Sequence, residues 1–302
     1  MAFSRRTFFK LTAVGATTAV GLNAEPAEAS TTVAAGNGMG VLVDVSKCIG
    51  CRSCEAACAK TNGLPDPDWS DDMSYAKPRA ATDRQYTVVN RHVTSKGEVY
   101  VKTQCMHCVK PACATGCITR ALDKQPNGAV TWNGDKCLGC RYCMLSCPFD
   151  APKFEYAAVN PKIQKCKLCY EKLQAGEQPA CVSECAGGAL SFGKRSDLLE
   201  QARATIYKDP GTYVPRVYGA EEAGGTSWLY ISPVPFSELG FREVGVTPIA
   251  ETTRNFLTAV PLVLVAWPAM LLGLRRATGR KADEEEFDAV PQAQPSTVGG
   301  GD

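Results

Sequence analysis

Sixteen cysteines fall into four runs of four, and every run opens C-x2-C and closes C-x3-C. Cys48, Cys51, Cys54 and Cys58 follow C-x2-C-x2-C-x3-C, and so do Cys137, Cys140, Cys143 and Cys147. Cys105, Cys108, Cys113 and Cys117 widen the middle gap to four residues; Cys166, Cys169, Cys181 and Cys185 widen it to eleven. Several chemistries compete for thiols at these spacings. Disulfides are the default in an exported, Cys-dense chain, but neighbours two apart in a tight loop do not easily reach disulfide geometry. Zinc takes two C-x2-C hooks per ion, whereas in two of the runs a third cysteine arrives after two more residues. A c-type haem requires C-x2-C-H, and no C-x2-C here precedes a histidine.

The rhythm resembles the bacterial ferredoxin pattern, in which three thiolates wrap one face of a [4Fe-4S] cube and the fourth ligates a neighbouring cube. Sixteen cysteines then imply four [4Fe-4S] clusters with no thiol left over. Gly50 in CIGC and Gly139 in CLGC let the backbone turn tightly and aim N–H groups at sulfur. Pro148 after Cys147 matches the ferredoxin ending, while Ala59, Ile118 and Ala186 stand in its place in the other runs. An oxidised cube with four thiolates carries a net charge of about −2, and basic charge gathers where the cysteines are. From Lys102 to Lys172 there are eleven Lys and Arg against five Asp and Glu, although the whole chain is only +2. That small total gives no reason to expect nucleic acid as a partner.

The elements that position these thiols are legible as two halves. After Cys117 come Ala121-Leu122, the turn Gln125-Pro126-Asn127-Gly128, and Ala129-Val130-Thr131-Trp132 leading into Cys137, a short hairpin joining the second and third runs. The fourth run ends with the same Cys-x3-Ala-Leu, at Cys185 and Ala189-Leu190, and the first is entered by a strand, Gly40 to Val45, before Lys47-Cys48. The outer runs thus hold the two halves of a hairpin that the middle runs have intact. The expected fold is α+β: two ferredoxin-like 2[4Fe-4S] units, with an inserted hairpin at QYTVVNR and EVYVKTQ and one C-terminal transmembrane helix. With the last cysteine of each run crossing over, the expected sets are Cys48, Cys51, Cys54 with Cys185; Cys166, Cys169, Cys181 with Cys58; Cys105, Cys108, Cys113 with Cys147; and Cys137, Cys140, Cys143 with Cys117. His107, inside CMHC, is expected to donate a hydrogen bond near a cube and not to ligate, because the cysteine sets are complete.

Both ends of the chain bear on location. Ser4-Arg5-Arg6-Thr7-Phe8-Phe9-Lys10, an apolar stretch and Ala27-Glu28-Ala29 read as a twin-arginine signal over 1–29. That export route carries proteins already folded around a cofactor. Asn255 to Leu274 is a run of twenty residues without a charge, about 30 Å as a helix. Arg275, Arg276, Arg280 and Lys281 follow it, which places the C-terminus in the cytoplasm and the rest outside. The expected organisation is signal 1–29, cluster domain 40–195, a docking or extension segment 196–253, a membrane helix 254–275 and a disordered cytoplasmic tail 276–302. Within 196–253, SDLLEQARATIY reads as an amphipathic helix, and Trp228 and Tyr230 alternate in a stretch that suits either partner docking or ordinary packing.

With QCMHC, KCLGCRYCMLSCP and KCKLC, the chain resembles the four-cluster ferredoxin-type subunits that accompany molybdopterin enzymes and membrane-bound hydrogenases. With YGAEEAGGTSWLYIS, the signal and the single anchor, it resembles the HybA-type subunits of hydrogenase-2-like enzymes. That resemblance implies an electron-transfer subunit linking the small and large subunits of a [NiFe] hydrogenase to a multi-span, quinone-reactive membrane subunit, at the periplasmic face of the inner membrane. Formate dehydrogenase subunits and relatives in polysulfide- or sulfite-linked respiration are the alternative. No Ser-His pair or phosphate loop suggests catalysis by this chain alone, and two histidines are too few for the two bis-histidine haems of a membrane cytochrome. A disulfide- or zinc-stapled surface anchor without redox function is the competing class.

Overall fold

Val41-Leu42-Val43 is apolar on both faces of a strand, and it becomes the middle of the principal sheet. A computed structural model describes residues 38–67, 77–252 and 254–277. Its strands are β1 (Met39–Asp44), β2 (Thr87–Thr94), β3 (Gly97–Gln104), β4 (Leu122–Lys124), β5 (Val130–Trp132), β6 (Lys153–Phe154), β7 (Ile163–Gln164), β8 (Leu190–Lys194) and β9 (Trp228–Ile231). The helices are α1 (Ser53–Asn62), α2 (Ala112–Thr115), α3 (Tyr142–Leu145), α4 (Tyr170–Gln174), α5 (Ala180–Ser183), α6 (Arg195–Lys208), α7 (Ile249–Thr252) and α8 (Arg254–Ala277).

Antiparallel pairing joins the cysteine runs. β1 pairs with β8, Val43 opposite Leu190 and Val41 opposite Phe192, and β4 pairs with β5, Leu122 opposite Trp132. These are the split and the intact hairpins that the repeated Cys-x3-Ala-Leu predicts. β2 and β3 form the inserted hairpin and deliver the chain from Gln104 into Cys105. A further hairpin, β6 with β7, leads from the third run into the fourth and was not expected. The entries to the first and third runs are alike in detail. Asp44 Oδ1 accepts from Ser46 N at 3.1 Å, Asn133 Oδ1 accepts from Asp135 N at 2.9 Å, and each cap starts a single 3-10 turn ending at the first cysteine.

In the segment after the clusters, packing is the one of the two readings that holds for Trp228 and Tyr230. Trp228 and Tyr230 are fully buried, because β9 lies parallel to β1 with Val41 opposite Trp228. The alternation therefore marks a strand covered on both faces, not a docking surface. At roughly 1.5–3 kcal/mol for each large apolar side chain removed from water, β9 is a major part of the core. Tyr218, Phe236 and Phe241 pack around Tyr230, with Tyr230 and Phe241 edge to face at 4.9 Å. α6 matches the expected amphipathic helix and buries Leu198 and Ala202 against Leu42, Leu229 and Ile231.

α8, in a separate unit from the cluster-bearing one, is helical over the expected apolar run. Among the described residues, however, no helix is long and apolar enough to cross a membrane. The side chains of α8 are described only at Val260 and 263–275, fewer than the roughly 20 apolar residues that a span requires. The signal segment 1–29 and the tail beyond 277 lie outside the described residues.

Candidate metal centres

All four C-x2-C loops turn in the same way. The residue before the second cysteine is left-handed in each: Gly50 at φ 71°, His107 at 48°, Gly139 at 69° and Leu168 at 54°. Three residues after the last cysteine the chain is left-handed again at Arg120, Asp150 and Gly188. The first run differs here, since Cys58 lies inside α1. A non-glycine residue in this region costs about 1–2 kcal/mol, and the return is a set of N–H groups turned toward sulfur. Leu168 N donates to Cys166 Sγ at 3.4 Å, Ala121 N to Cys117 Sγ at 3.2 Å, and Ala151 N to Cys147 Sγ at 3.4 Å. Such nests of N–H groups stabilise negative charge on thiolates.

The thiols of different runs converge. Cys48, Cys51, Cys54 and Cys185 line one cavity. Cys58, Cys166, Cys169 and Cys181 line a second, and Cys117, Cys137, Cys140 and Cys143 a third. Around Cys108, burial and then the thiolates of Cys105, Cys113 and Cys147 push its proton affinity up. In each foursome three cysteines come from one run and one comes from another.

Burial dominates the electrostatics of these thiols. It pushes Cys54, Cys58 and Cys113 up to about 12, and Cys143 up to about 11. Cys117 moves the other way: burial raises it, but N–H groups of Leu122, Ala121 and Thr119 and the Thr119 hydroxyl together bring it below the ordinary thiol value. Several buried sulfurs sharing a cavity cannot all ionise unless a cation of high charge binds them. All sixteen are free of disulfides. Among the described residues no group of three or more His, Cys, Asp or Glu converges as a single ion requires. One zinc ion would draw its thiolates to about 2.3 Å from a common point; a cube sets an iron between its centre and each thiolate, and so needs them farther apart. The donor set, three thiols of one run with one from another, fits [4Fe-4S] clusters.

Buried cations, which the sequence does not announce, stand among the thiols. Lys124 Nζ donates to the carbonyls of His107 at 3.1 Å and Gly128 at 2.6 Å, and burial brings its pKa down to about 8. Lys165 Nζ donates to the carbonyls of Cys166 at 3.1 Å and of Val130. Lys102 is buried as well; burial opposes its charge, but the thiolates of Cys181, Cys54 and Cys166 prevail and raise its pKa. Alternation in β3 puts Lys102 on the face opposite Val99 and Val101, the face usually left to water, so nothing in the sequence signals its burial. His107 is fully buried, and burial, then Lys165 and Lys124, hold it well below the usual range. Its Nδ1 accepts from Val130 N at 2.9 Å, which leaves the proton on Nε2. The Cys166 backbone is near enough to raise its proton affinity a little, yet Nε2 has no hydrogen bond of acceptable geometry. The ring thus accepts at one nitrogen and carries its proton at the other.

Known proteins are similar to this chain. A family model described as a 4Fe-4S dicluster domain matches residues 97–195. A protein of Nitratidesulfovibrio vulgaris is 45% identical over 90% of this chain and 78% of its own length. The hydrogenase-2 operon protein HybA of Escherichia coli O157:H7 is 31% identical over 83% of this chain and 87% of its own. The chain belongs to the HybA family. The nitrate-inducible formate dehydrogenase iron-sulfur subunit of Escherichia coli is 34% identical, but over 63% of this chain and 66% of its own length. The likeness to HybA thus extends over 284 residues against 197 for the formate dehydrogenase subunit. The matched dicluster domain begins after the first run, and in this HybA-family chain the fold brings that run back through Cys58 and the β1–β8 pairing.

Proposed function

We propose that this chain is the four-cluster electron-transfer subunit of a respiratory hydrogenase, carrying electrons between a [NiFe] catalytic dimer and a quinone-reactive membrane subunit. The convergence of Cys58 with Cys166, Cys169 and Cys181 on one cavity carries the reading, because three thiols of one run joined by the last thiol of another is the ferredoxin arrangement around a [4Fe-4S] cube. Its holders are the four expected sets: Cys48, Cys51, Cys54 and Cys185; Cys58, Cys166, Cys169 and Cys181; Cys105, Cys108, Cys113 and Cys147; Cys117, Cys137, Cys140 and Cys143. Bound there, each [4Fe-4S] cluster supplies reversible one-electron storage.

The protein's part is to line these sites up and shield them. Cys54 lies close enough to Cys181 to raise its charge cost, as Cys166 does to Cys105 and Cys113 to Cys143. These electrostatic neighbours support one order of the sets: the Cys48 set, the Cys58 set, the Cys105 set, the Cys137 set. Cys51 and Cys140, at the two ends, are exposed. Apolar side chains stand open beside them, Ile49 at one end and Ile118 and Leu138 at the other. Such surfaces suit docking of an electron donor and an acceptor. The Cys58 set is walled by Thr87 of β2, Lys102 of β3 and Trp228 of β9, and Lys124 and Lys165 stand near the Cys105 set.

The remaining assignments rest on sequence. The uncharged run 255–274 with Arg275 and Arg276 after it supports a single membrane anchor, and the twin-arginine segment supports export to the periplasmic side. The greater extent of the HybA match favours hydrogenase over formate dehydrogenase as the enzyme served. Anaerobic affinity purification of the tagged chain tests the assignment. [NiFe] hydrogenase subunits and about sixteen irons per chain, as four cubes require, are expected to come with it. A molybdopterin enzyme in their place would move the assignment to the alternative.

A further inference from the structure

Among the described residues Lys102 alone lines both the cavity of the Cys48 set and that of the Cys58 set. Its side chain is held by neutral partners. Nζ donates to Gln104 Oε1 at 2.7 Å and stands 4.3 Å from the centre of the Trp228 indole. Gln104 Nε2 donates to the Tyr230 hydroxyl at 2.7 Å, and that hydroxyl donates back to the Lys102 carbonyl at 3.1 Å. The orientation of Gln104 is thereby fixed with its oxygen toward the ammonium. No described carboxylate pairs with Lys102, although taking an ammonium out of water costs several kcal/mol. The charge that answers it comes from sulfur: Cys48 and Cys54 on one side, and Cys58, Cys166, Cys169 and Cys181 on the other.

We propose that Lys102 is a redox-positioning residue: one fixed cation in the wall between two neighbouring clusters that raises the reduction potentials of both together. The inference rests on the four-cluster reading above. Reduction adds one negative charge to either site, and a buried cation beside both favours each reduced state by Coulomb attraction that salt screens little. A surface lysine would act on one site and fade with ionic strength. A shared charge shifts both sites in the same direction, so it raises their level without opening a gap between them. The Cys117, Cys137, Cys140, Cys143 set, at the far end of the order, lies beyond this influence.

The test is a potentiometric titration, followed by electron paramagnetic resonance, of the full-length chain in its anaerobically purified complex. Lys102→Met keeps the side-chain length without the charge. At a fixed potential, the reduced-to-oxidised ratio of two clusters is expected to fall at least tenfold, 59 mV for a one-electron couple, with the Cys137-set cluster unmoved and Lys102→Arg close to wild type. Unmoved potentials with full iron content overturn the proposal. If Lys102→Met loses iron, Lys102→Gln is read in its place; loss of both neighbouring clusters in each neutral variant makes Lys102 structural and also overturns it. A wild-type chain without iron overturns the four-cluster reading instead.

Discussion

Arg79 grips Glu55 from beneath α1, Nη2 to Oε1 at 2.6 Å and Nη1 to Oε2 at 3.1 Å. The Glu55 side chain is fully buried, and Val89 N and Gln85 Nε2 also donate to it. α1 carries Cys54 and Cys58, one thiol for each of two cavities, so this carboxylate fixes the helix to β2. Removing Arg79 would leave a buried charge without its main partner, at a cost of about 3–5 kcal/mol. Arg79→Met is therefore expected to lower the denaturation midpoint markedly and to reduce iron in the Cys48 and Cys58 sites. Arg79→Met with Glu55→Gln should recover much of the loss, because a neutral amide needs no counter-charge. Chemical denaturation and iron analysis of the three variants check this; equal instability of the single and double variants would remove the ion pair from the explanation.

Two glycines at corresponding places in the loops differ in what surrounds them. Gly50 and Gly139 both have positive φ, but a Cβ on Gly50 would meet the Tyr100 ring at 2.5 Å, while one on Gly139 meets nothing nearer than Phe154 at 3.9 Å. Gly139→Ala should cost only the backbone term, about 1 kcal/mol. Gly50→Ala should cost distinctly more and disturb the Cys48 site. Melting temperatures and iron content of the two variants give the comparison, and equal losses would mean that Tyr100 yields freely.

The hairpin logic was legible because it is local. Cys-x3-Ala-Leu closes the second and fourth runs, and a strand leads through Lys-Cys into the first and third, so the pairing of β1 with β8 follows from the intact β4–β5 copy. The left-handed turns at Gly50 and Gly139 were legible for the same reason, since glycine declares them. At His107 and Leu168 the same conformation is imposed by tertiary contacts, and nothing local reveals it. β9 stayed ambiguous because alternating Trp-Leu-Tyr-Ile is the same string whether one face or both are covered. Lys102 was missed on a sound general rule: lysines are almost never fully buried unless something answers their charge, and what answers it here is sulfur brought from three other segments.

The proposed anchor yields a simple separation. A chain ending at residue 252 retains every cysteine and every element of the first unit. It is expected to keep its iron and its colour while moving from the membrane fraction to the soluble one. Fractionation with iron analysis measures both at once. A truncated chain that stays with the membrane as fully as the intact one would show that partners, and not the apolar run 255–274, hold it there.

The exchange of thiols between distant runs predicts which substitutions share a phenotype. Cys58 belongs by sequence to the first run, yet it shares its cavity with Cys166, Cys169 and Cys181, while Cys185 shares one with Cys48, Cys51 and Cys54. Cys58→Ser and Cys181→Ser should therefore perturb the same cluster signal, and Cys185→Ser and Cys48→Ser another. Each substitution replaces one thiolate of four, so conversion to a three-iron centre or loss of about four irons is expected. The pairing by phenotype is more informative than the loss itself. If Cys58→Ser altered the same signal as Cys48→Ser and spared that of Cys181→Ser, each run would close its own centre. The hairpin-related exchange between the outer runs would then be wrong, even with the full iron content intact.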